Sequence, residues 1–381
     1  MKICFWGNIS DSINGHTPGG GELQIALLAK ALVLAGNEVV IIDPGGKKDF
    51  VSEDGIRVIT VKGWDNGIQI LRTLTHRLPQ FYKLLKDQKA DVYYCRIRDF
   101  RHIFAFGAAR KNNAKFILAL ASDLDVLSFW MRCKHNYFSQ KRDAWLFVSG
   151  LFIEIIQPFL LRNSDIVFAQ HEGQKALLDK KGIVSIVNPN LIDLNVIPSE
   201  NRYLKDGFVW VGSFKKRKGI IELFELVNKL PQHKFTIIGQ ASDASGHFYL
   251  DKLKTCPNVT LLGRLSHEDT LLKIANSKAI ISTSRMEGFP NIFIEAWTCG
   301  IPVISLFVNP GNVLVKNNLG YYANGSMPSL IKIISEYDTI TSFGDEARIY
   351  VEKTHLLNKN KISEINEVFE LLIKHNTTKA S

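Results

Sequence analysis

An apolar strand followed by an amphipathic helix recurs along this chain, halts at a polar interval, and then starts again. The first series reads KICFWG (2–7), GGELQIALLAKALVLAG (20–36), NEVVIIDP (37–44), ADVYYCR (90–96), KFILALASD (115–123) and SDIVFAQ (164–170). The second reads DGFVWVGSF (206–214), KGIIELFELVNKL (218–230), HKFTIIGQ (233–240), VTLLGRL (259–265) and KAIISTS (278–284). Strands that are apolar on both faces and alternate with helices require a parallel sheet covered on both sides. Two such series predict an α/β chain of two Rossmann-like domains facing across a cleft. They would occupy residues 1–195 and 208–355, with a linker at 196–207. Open parallel sheets bind ligands beyond their strand C-termini, so the segments just after the strands are where chemistry is expected.

Composition narrows the classes. The cysteines (Cys4, Cys95, Cys133, Cys256, Cys299) form no CxxC pair and no cluster with histidine, which argues against structural zinc and for a reducing compartment. The opening MKICFWGNIS meets Gly7 and Asn8 too early for a signal sequence. The longest apolar stretch, AWLFVSGLFIEIIQPFLL (144–161), contains Glu154, Gln157 and Pro158 and reads as a buried helix, not a span. A cytoplasmic protein is expected. A formal charge of +10 suits phosphorylated small molecules and anionic lipid. No zinc finger, RNP-like strand or polybasic repeat accompanies it, so nucleic acid is not an expected partner. The segment LRTLTHRLPQFYKLLKDQK (71–89) carries Arg72, Arg77, Lys83, Lys86 and Lys89 among leucines. It reads either as a loose contact with the anionic inner face of the cell membrane, or as a solvated basic helix packed by its leucines.

Three post-strand segments carry candidate chemistry. PGGGE (18–22) precedes a helix, where Gly19 and Gly20 would let backbone approach an anion, or would simply form a flexible turn. VGSFKKRKGI (211–220) places Ser213 and four basic residues before a helix; most of these are expected to be exposed, with Lys218 turned inward toward a diphosphate. In EGFPNIFIEAWTCG (287–300), Gly288 and Phe289 lead through a rigid Pro290 to a new helix, whose first N–H groups at Asn291, Ile292 and Phe293 would hold phosphate. A carboxylate cannot favour phosphate, so Glu287 would accept sugar hydroxyls, and Glu295 in the helix would accept those of a ribose. The spacing suits a nucleotide sugar. The plainer alternative is that Glu287 caps backbone and Glu295 faces solvent.

The stretch STSRMEGFPNIFIEAWTCGIPVIS (282–305) resembles the donor-site signature of retaining, family 4 type glycosyltransferases with the GT-B fold, including members that build polysaccharides. VGSFKKRKGI, PGGGELQIALLAKALVLAGNEVVII and SDIVFAQHEGQKALLDKKGIVSIVNPNLID resemble other segments of the same family. The resemblance implies transfer of a hexose or N-acetylhexosamine, with retained configuration, from a nucleotide-diphosphate sugar to a hydroxyl of a glycan or lipid-linked glycan. A UDP-sugar is the favoured donor. It implies Glu287 on the donor sugar, Glu295 on the ribose, Lys218 on the diphosphate with Gly20 approaching from the other domain, and a last helix (about 360–381) packed back on the first domain. Two positions depart from the family pattern. Ser213 replaces the usual arginine, and Ser122-Asp123 stands where many relatives carry His-Asp, leaving Asp123 to orient sugar or acceptor. Asp123 and Asp125 also form an Asp-x-Asp, but the cationic loop already supplies positive charge, so no metal and no cofactor are expected. An epimerase on the same scaffold and an impaired nucleotide-sugar-binding module are the competing readings.

Overall fold

The computed structural model describes residues 1–7, 19–46, 48–63, 65–68, 72–133, 144–193, 206–337 and 344–374, with side chains at 133 and 144–149 excepted. Most of the expected linker, and Pro18 of the glycine loop, lie outside the described residues. The chain divides into two units, Met1–Leu191 with Leu357–Ser381, and Ile192–Leu356. The boundary therefore falls a few residues before the expected linker. Ile192 belongs to the second unit because it pairs with Leu356 as a parallel bridge and its N–H donates to the His355 carbonyl at 2.9 Å.

The first unit is an eight-stranded sheet in the order β3-β4-β2-β1-β5-β6-β7-β8. Its strands are β1 (Lys2–Trp6), β2 (Glu38–Asp43), β3 (Phe50–Val51), β4 (Arg57–Thr60), β5 (Val92–Arg96), β6 (Lys115–Ala119), β7 (Ile166–Ala169) and β8 (Ser185–Val187). Every pairing is parallel except β3 with β4. Because strand side chains alternate, each strand feeds two cores. Ile3, Phe5, Val39, Ile41, Val92 and Tyr94 enter one core with helix α1 (Gly20–Leu34). Cys4, Trp6, Val40, Ile42, Tyr93 and Cys95 enter the other. The C-terminal helix Lys359–Lys374 closes the first of these cores through Ile365 and Phe369, and Asn37 Nδ2 donates to Asn366 Oδ1 at 2.7 Å.

Segment 71–89 packs by part of its apolar side: Leu78, Phe81 and Leu85 are buried, while Arg72 and Arg77 both pair with Asp65. Leu74 stays exposed, so the packed-helix reading holds for 78–85. Helix α2 (Ala144–Asn163) meets the expectation of a buried helix on one side only: Glu154, Gln157, Leu160 and Leu161 are buried, while Phe152, Ile155 and Phe159 are exposed. Among the described residues, no helix is long and apolar enough to cross a membrane.

The second unit is a six-stranded, all-parallel sheet in the order β11-β10-β9-β12-β13-β14. The strands are β9 (Phe208–Val211), β10 (Phe235–Ile238), β11 (Val259–Gly263), β12 (Ala279–Ser282), β13 (Val303–Ser305) and β14 (Gly320–Tyr322). Phe208, Trp210, Phe235 and Ile237 fill one core, and Val209, Ile238, Ile280 and Val303 the other. β9 and β12 are neighbours at the middle of the sheet, which brings the segments that follow them side by side.

Candidate active site

Helix α3 is Glu172–Asp179 of the first unit. In the second unit the chain leaves β9 at Gly212, makes a short 3-10 turn at Lys216–Lys218, and enters helix α4 (Ile220–Lys229) through Gly219. Gly219 has φ +72, and a Cβ there would stand 1.9 Å from the Thr283 carbonyl oxygen, so only glycine fits. That close approach joins two loops. The Thr283 hydroxyl donates to the Lys218 carbonyl and accepts from Trp210 Nε1, both at 3.0 Å, and the Arg285 N–H donates to the Arg217 carbonyl at 3.0 Å. Arg285 also pairs with the buried Glu222 of α4.

The stitched loops bring Lys218 Nζ to 2.6 Å from Glu287 Oε1. Lys215, Lys216 and Arg217 are exposed, while Lys218 is half-buried. Burial pushes the Glu287 carboxyl up. The Lys218 ammonium, the Arg217 charge and hydrogen bonds from Lys218 and Ser284 outweigh it, so the group is held below the usual carboxylate range. The result is a carboxylate that stays ionised although largely removed from water.

After Gly288 and Pro290 the chain starts helix α6 (Asn291–Thr298); α5 is His267–Ala275. The Phe289 ring is buried against Trp297 and His355, at centroid distances of 6.0 and 4.9 Å, so only its backbone can meet a ligand. Phe293 is a stronger correction. Its side chain is fully buried and its N–H donates to the Pro290 carbonyl at 3.1 Å, so it offers a phosphate neither. Asn291 and Ile292 are half-buried in the first turn. Glu295 lies about one turn further along, paired with His267 Nε2 at 3.3 Å. That hydrogen bond raises the His267 pKa against its burial, with the Glu295 charge adding to the rise. His267 was not legible as a site residue, because it meets Glu295 only through the packing of α5 beside α6. Ser213, half-buried, follows Gly212 beyond β9.

In the first unit the segment after β6 forms a 3-10 turn, Asp123–Val126, capped by the Ser122 hydroxyl. Asp125 is buried and its Oδ2 accepts from the Ala121 and Ser122 N–H groups at 2.8 and 3.0 Å. Burial pushes the Asp125 carboxyl up, opposed by Arg98 and those two donors. Asp123 points elsewhere. Its Oδ1 receives Gln174 Nε2 at 2.8 Å and meets His171 Nε2 at 3.0 Å. The two carboxylates of the Asp-x-Asp thus have separate partners, and among the described residues no three His, Cys, Asp or Glu gather as a metal would need. His171 and Gln174 were missed as site residues. The available signal was a histidine two residues after the end of β7, beyond a strand C-terminus.

Behind them lies a buried polar chain. Gln170 N–H donates to Gln174 Oε1 at 2.8 Å, Gln170 Nε2 to Asn190 Oδ1 at 3.0 Å, and the buried Arg96 at the end of β5 donates to the same Asn190 oxygen at 2.7 Å. At the glycine loop, Gly20 begins α1 and Gly19 caps it; a Cβ on Gly19 would meet Glu22 Oε2 at 2.4 Å. The chain's own Glu22 carboxylate therefore stands at the helix end assigned to a diphosphate, which opposes an anion there.

Residues 200–327 match the family model described as glycosyl transferases group 1. The chain is 31% identical over 153 residues to the lipopolysaccharide 1,6-galactosyltransferase of Salmonella typhimurium, covering 37% of this chain and 43% of that protein. It spans about half the length of the curated relatives it matches. Its backbone resembles sucrose-phosphate synthase from Thermosynechococcus elongatus, with TM-score 0.77, 17% identity, and 98% and 100% of the two chains covered. It also resembles Anabaena HepE, a structure in complex with UDP and glucose, with TM-score 0.68, 16% identity, and 97% and 99% covered. At these identities the likeness shows the fold, which is GT-B with two Rossmann-like domains.

Proposed function

We propose that this protein is a retaining glycosyltransferase, moving a hexose or N-acetylhexosamine from a UDP-sugar to a hydroxyl of a glycan or lipid-linked glycan. The observation that carries the reading is the Lys218–Glu287 pair at the start of α6, with Glu295 one turn along the same helix. An ammonium and an ionised carboxylate 2.6 Å apart are the two groups needed where a diphosphate meets a sugar. Lys218 would neutralise the charge that develops on the leaving diphosphate, helped by the N-terminus of α6 at Asn291 and Ile292. Glu287 would accept hexose hydroxyls and Glu295 the ribose hydroxyls.

In the reaction the bond from the anomeric carbon to the diphosphate oxygen breaks, and the acceptor oxygen bonds to that carbon on the same face. The acceptor proton passes to the leaving phosphate oxygen, so no separate base is required in the second unit. Asp123, held by His171 and Gln174, would orient the sugar or the acceptor. No metal ion or cofactor is part of this reading, and its setting is the cytoplasm, where nucleotide sugars are made. The glycan acceptor rests on the likeness to the lipopolysaccharide galactosyltransferase and on the Ser122-Asp123 variant.

The test is a mass-spectrometric screen of nucleotide sugars against free and lipid-linked glycans. Transfer from a UDP-sugar to a glycan is the expected outcome. Epimerised nucleotide sugar without acceptor consumption, or nucleotide binding without turnover on any acceptor, would overturn it.

A further inference from the structure

Helix α2 is apolar on two sides: Leu160 and Leu161 are buried in the core of the first unit, yet the same inward side also takes a charge and an amide, and a second apolar side faces out. Glu154 is 0% exposed, gripped by Arg98 and by Arg132, whose guanidinium also donates to the Leu127 carbonyl. Gln157 is buried beside it. On the opposite face, Phe152, Ile155 and Phe159 recur at helical spacing, and Ile155 is 67% exposed. The short helix Phe129–Cys133, tied to α2 through Arg132, adds exposed Phe129 and Met131 and a Trp130 that is 75% exposed. A charge held inside by two arginines while aromatic rings face outward is not what water selects.

Charge decides what covers this face. Arg162 continues the stripe of Phe152, Ile155 and Phe159 and is exposed. Exposed Lys181 sits at the same edge, where its ammonium donates to the Val126 carbonyl in the turn before the short helix. Among the described residues of the two helices the one carboxylate is Glu154, and it is buried. An apolar aromatic face with a cationic rim fits an anionic lipid surface, with rings at the headgroup level and cations over the phosphates. A second copy of the chain fits less well, because an isologous contact would set like rims against each other.

We infer that the face formed by Phe129, Trp130, Met131, Phe152, Ile155 and Phe159, with Arg162 and Lys181 at its edge, docks the first unit on an anionic bilayer. This inference does not depend on the transferase reading, since it is read with lipid alone. Full-length protein is floated with vesicles of equal parts phosphatidylglycerol and phosphatidylcholine, and with vesicles of phosphatidylcholine only. Wild-type protein floats with the anionic vesicles, and salt weakens the association. Trp130→Ser with Ile155→Ser and Phe159→Ser lowers the bound fraction about ten-fold while the thermal transition is retained. Arg162→Gln reduces the preference for anionic over neutral vesicles. Lys83→Gln with Lys86→Gln and Lys89→Gln leaves binding unchanged, because those lysines are not part of this face. Three results overturn the inference: no flotation of the wild type, flotation that survives the triple substitution, or a concentration-dependent dimer that the triple substitution disperses without any lipid binding.

Discussion

Replacing Lys218 by alanine tests whether the ion pair with Glu287 organises the second unit. Glu287 is 14% exposed and Lys218 is 25% exposed, so the pair sits between a surface contact and a buried one. Removing one partner of a fully buried pair costs about 3–5 kcal/mol, and an exposed pair contributes about 0–1 kcal/mol. Arg217 still helps hold the carboxylate ionised, so Lys218→Ala should destabilise by roughly 2 kcal/mol at neutral pH. The pH dependence then has a definite sign. In the wild type the Glu287 pKa is depressed, so its stabilisation is present above the unfolded carboxylate pKa and is lost as pH falls through the lower folded value. Without Lys218 the burial that opposes ionisation gains weight and the folded pKa rises. If it passes the unfolded value, the contribution is present at low pH and is lost as pH rises through the folded pKa. The difference between the two proteins should therefore shrink as pH falls from about 7 toward about 4. Urea titrations of both proteins at several pH values measure it, following the transition of the second unit by tryptophan fluorescence. A penalty that is equal at both ends of that range, or absent at neutral pH, would refute the electrostatic account. Adding Glu287→Gln to Lys218→Ala should recover part of the loss.

Gly219→Ala forces a Cβ against the Thr283 carbonyl and should cost about 2 kcal/mol or more, read as a lower thermal midpoint together with weakened nucleotide binding. Glu295→Ala should weaken UDP binding by about 1–3 kcal/mol in calorimetry, and unchanged affinity would remove Glu295 from the ribose role. His267 protonates with a raised pKa and then competes for Glu295, so UDP affinity should increase as pH rises through that value; His267→Gln should flatten the profile. Transfer should persist in EDTA, and its abolition with recovery on adding Mg²⁺ would promote Asp123 to a metal ligand.

Much of the fold was legible because strands buried on both faces are apolar without interruption. β1 contributes Ile3, Cys4, Phe5 and Trp6 to two cores at once, which leaves little room for another assignment. Two edge strands, β3 and β14, escaped notice for the opposite reason. β3 is two residues and β14 three, and Gly320–Tyr322 is only half-buried, so neither carries a pattern. At the candidate site, Lys218, Glu287 and Glu295 stood out because their loops announce themselves by glycine, proline and charge. His267 and His171 did not, since each meets its carboxylate across a large sequence gap: 28 residues to Glu295 and 48 to Asp123. Phe293 shows the converse error. A position at a helix start was read as a phosphate donor, but its N–H closes a turn on Pro290.

The Asp-x-Asp of the first unit shows why residue type and spacing leave a role open until the backbone is placed. Asp123 and Asp125 are two residues apart, yet the capped turn sends them in different directions. Asp125 holds the Ala121 and Ser122 N–H groups, so drawing it onto a metal would strand two donors at roughly 1–3 kcal/mol each. It would also leave Arg98, 3.5 Å away, with less compensation for its charge. Asp123 carries no such burden; its partners are two side chains, both donated from the region of α3, and it remains partly exposed. The second unit repeats this division of labour. Glu222 is buried and pairs with Arg285 across the two loops, while Glu287 is kept ionised at the loop edge by Lys218. In each unit one carboxylate builds the turn and another is presented by it, and only the presented one is free to meet a substrate hydroxyl without dismantling the fold.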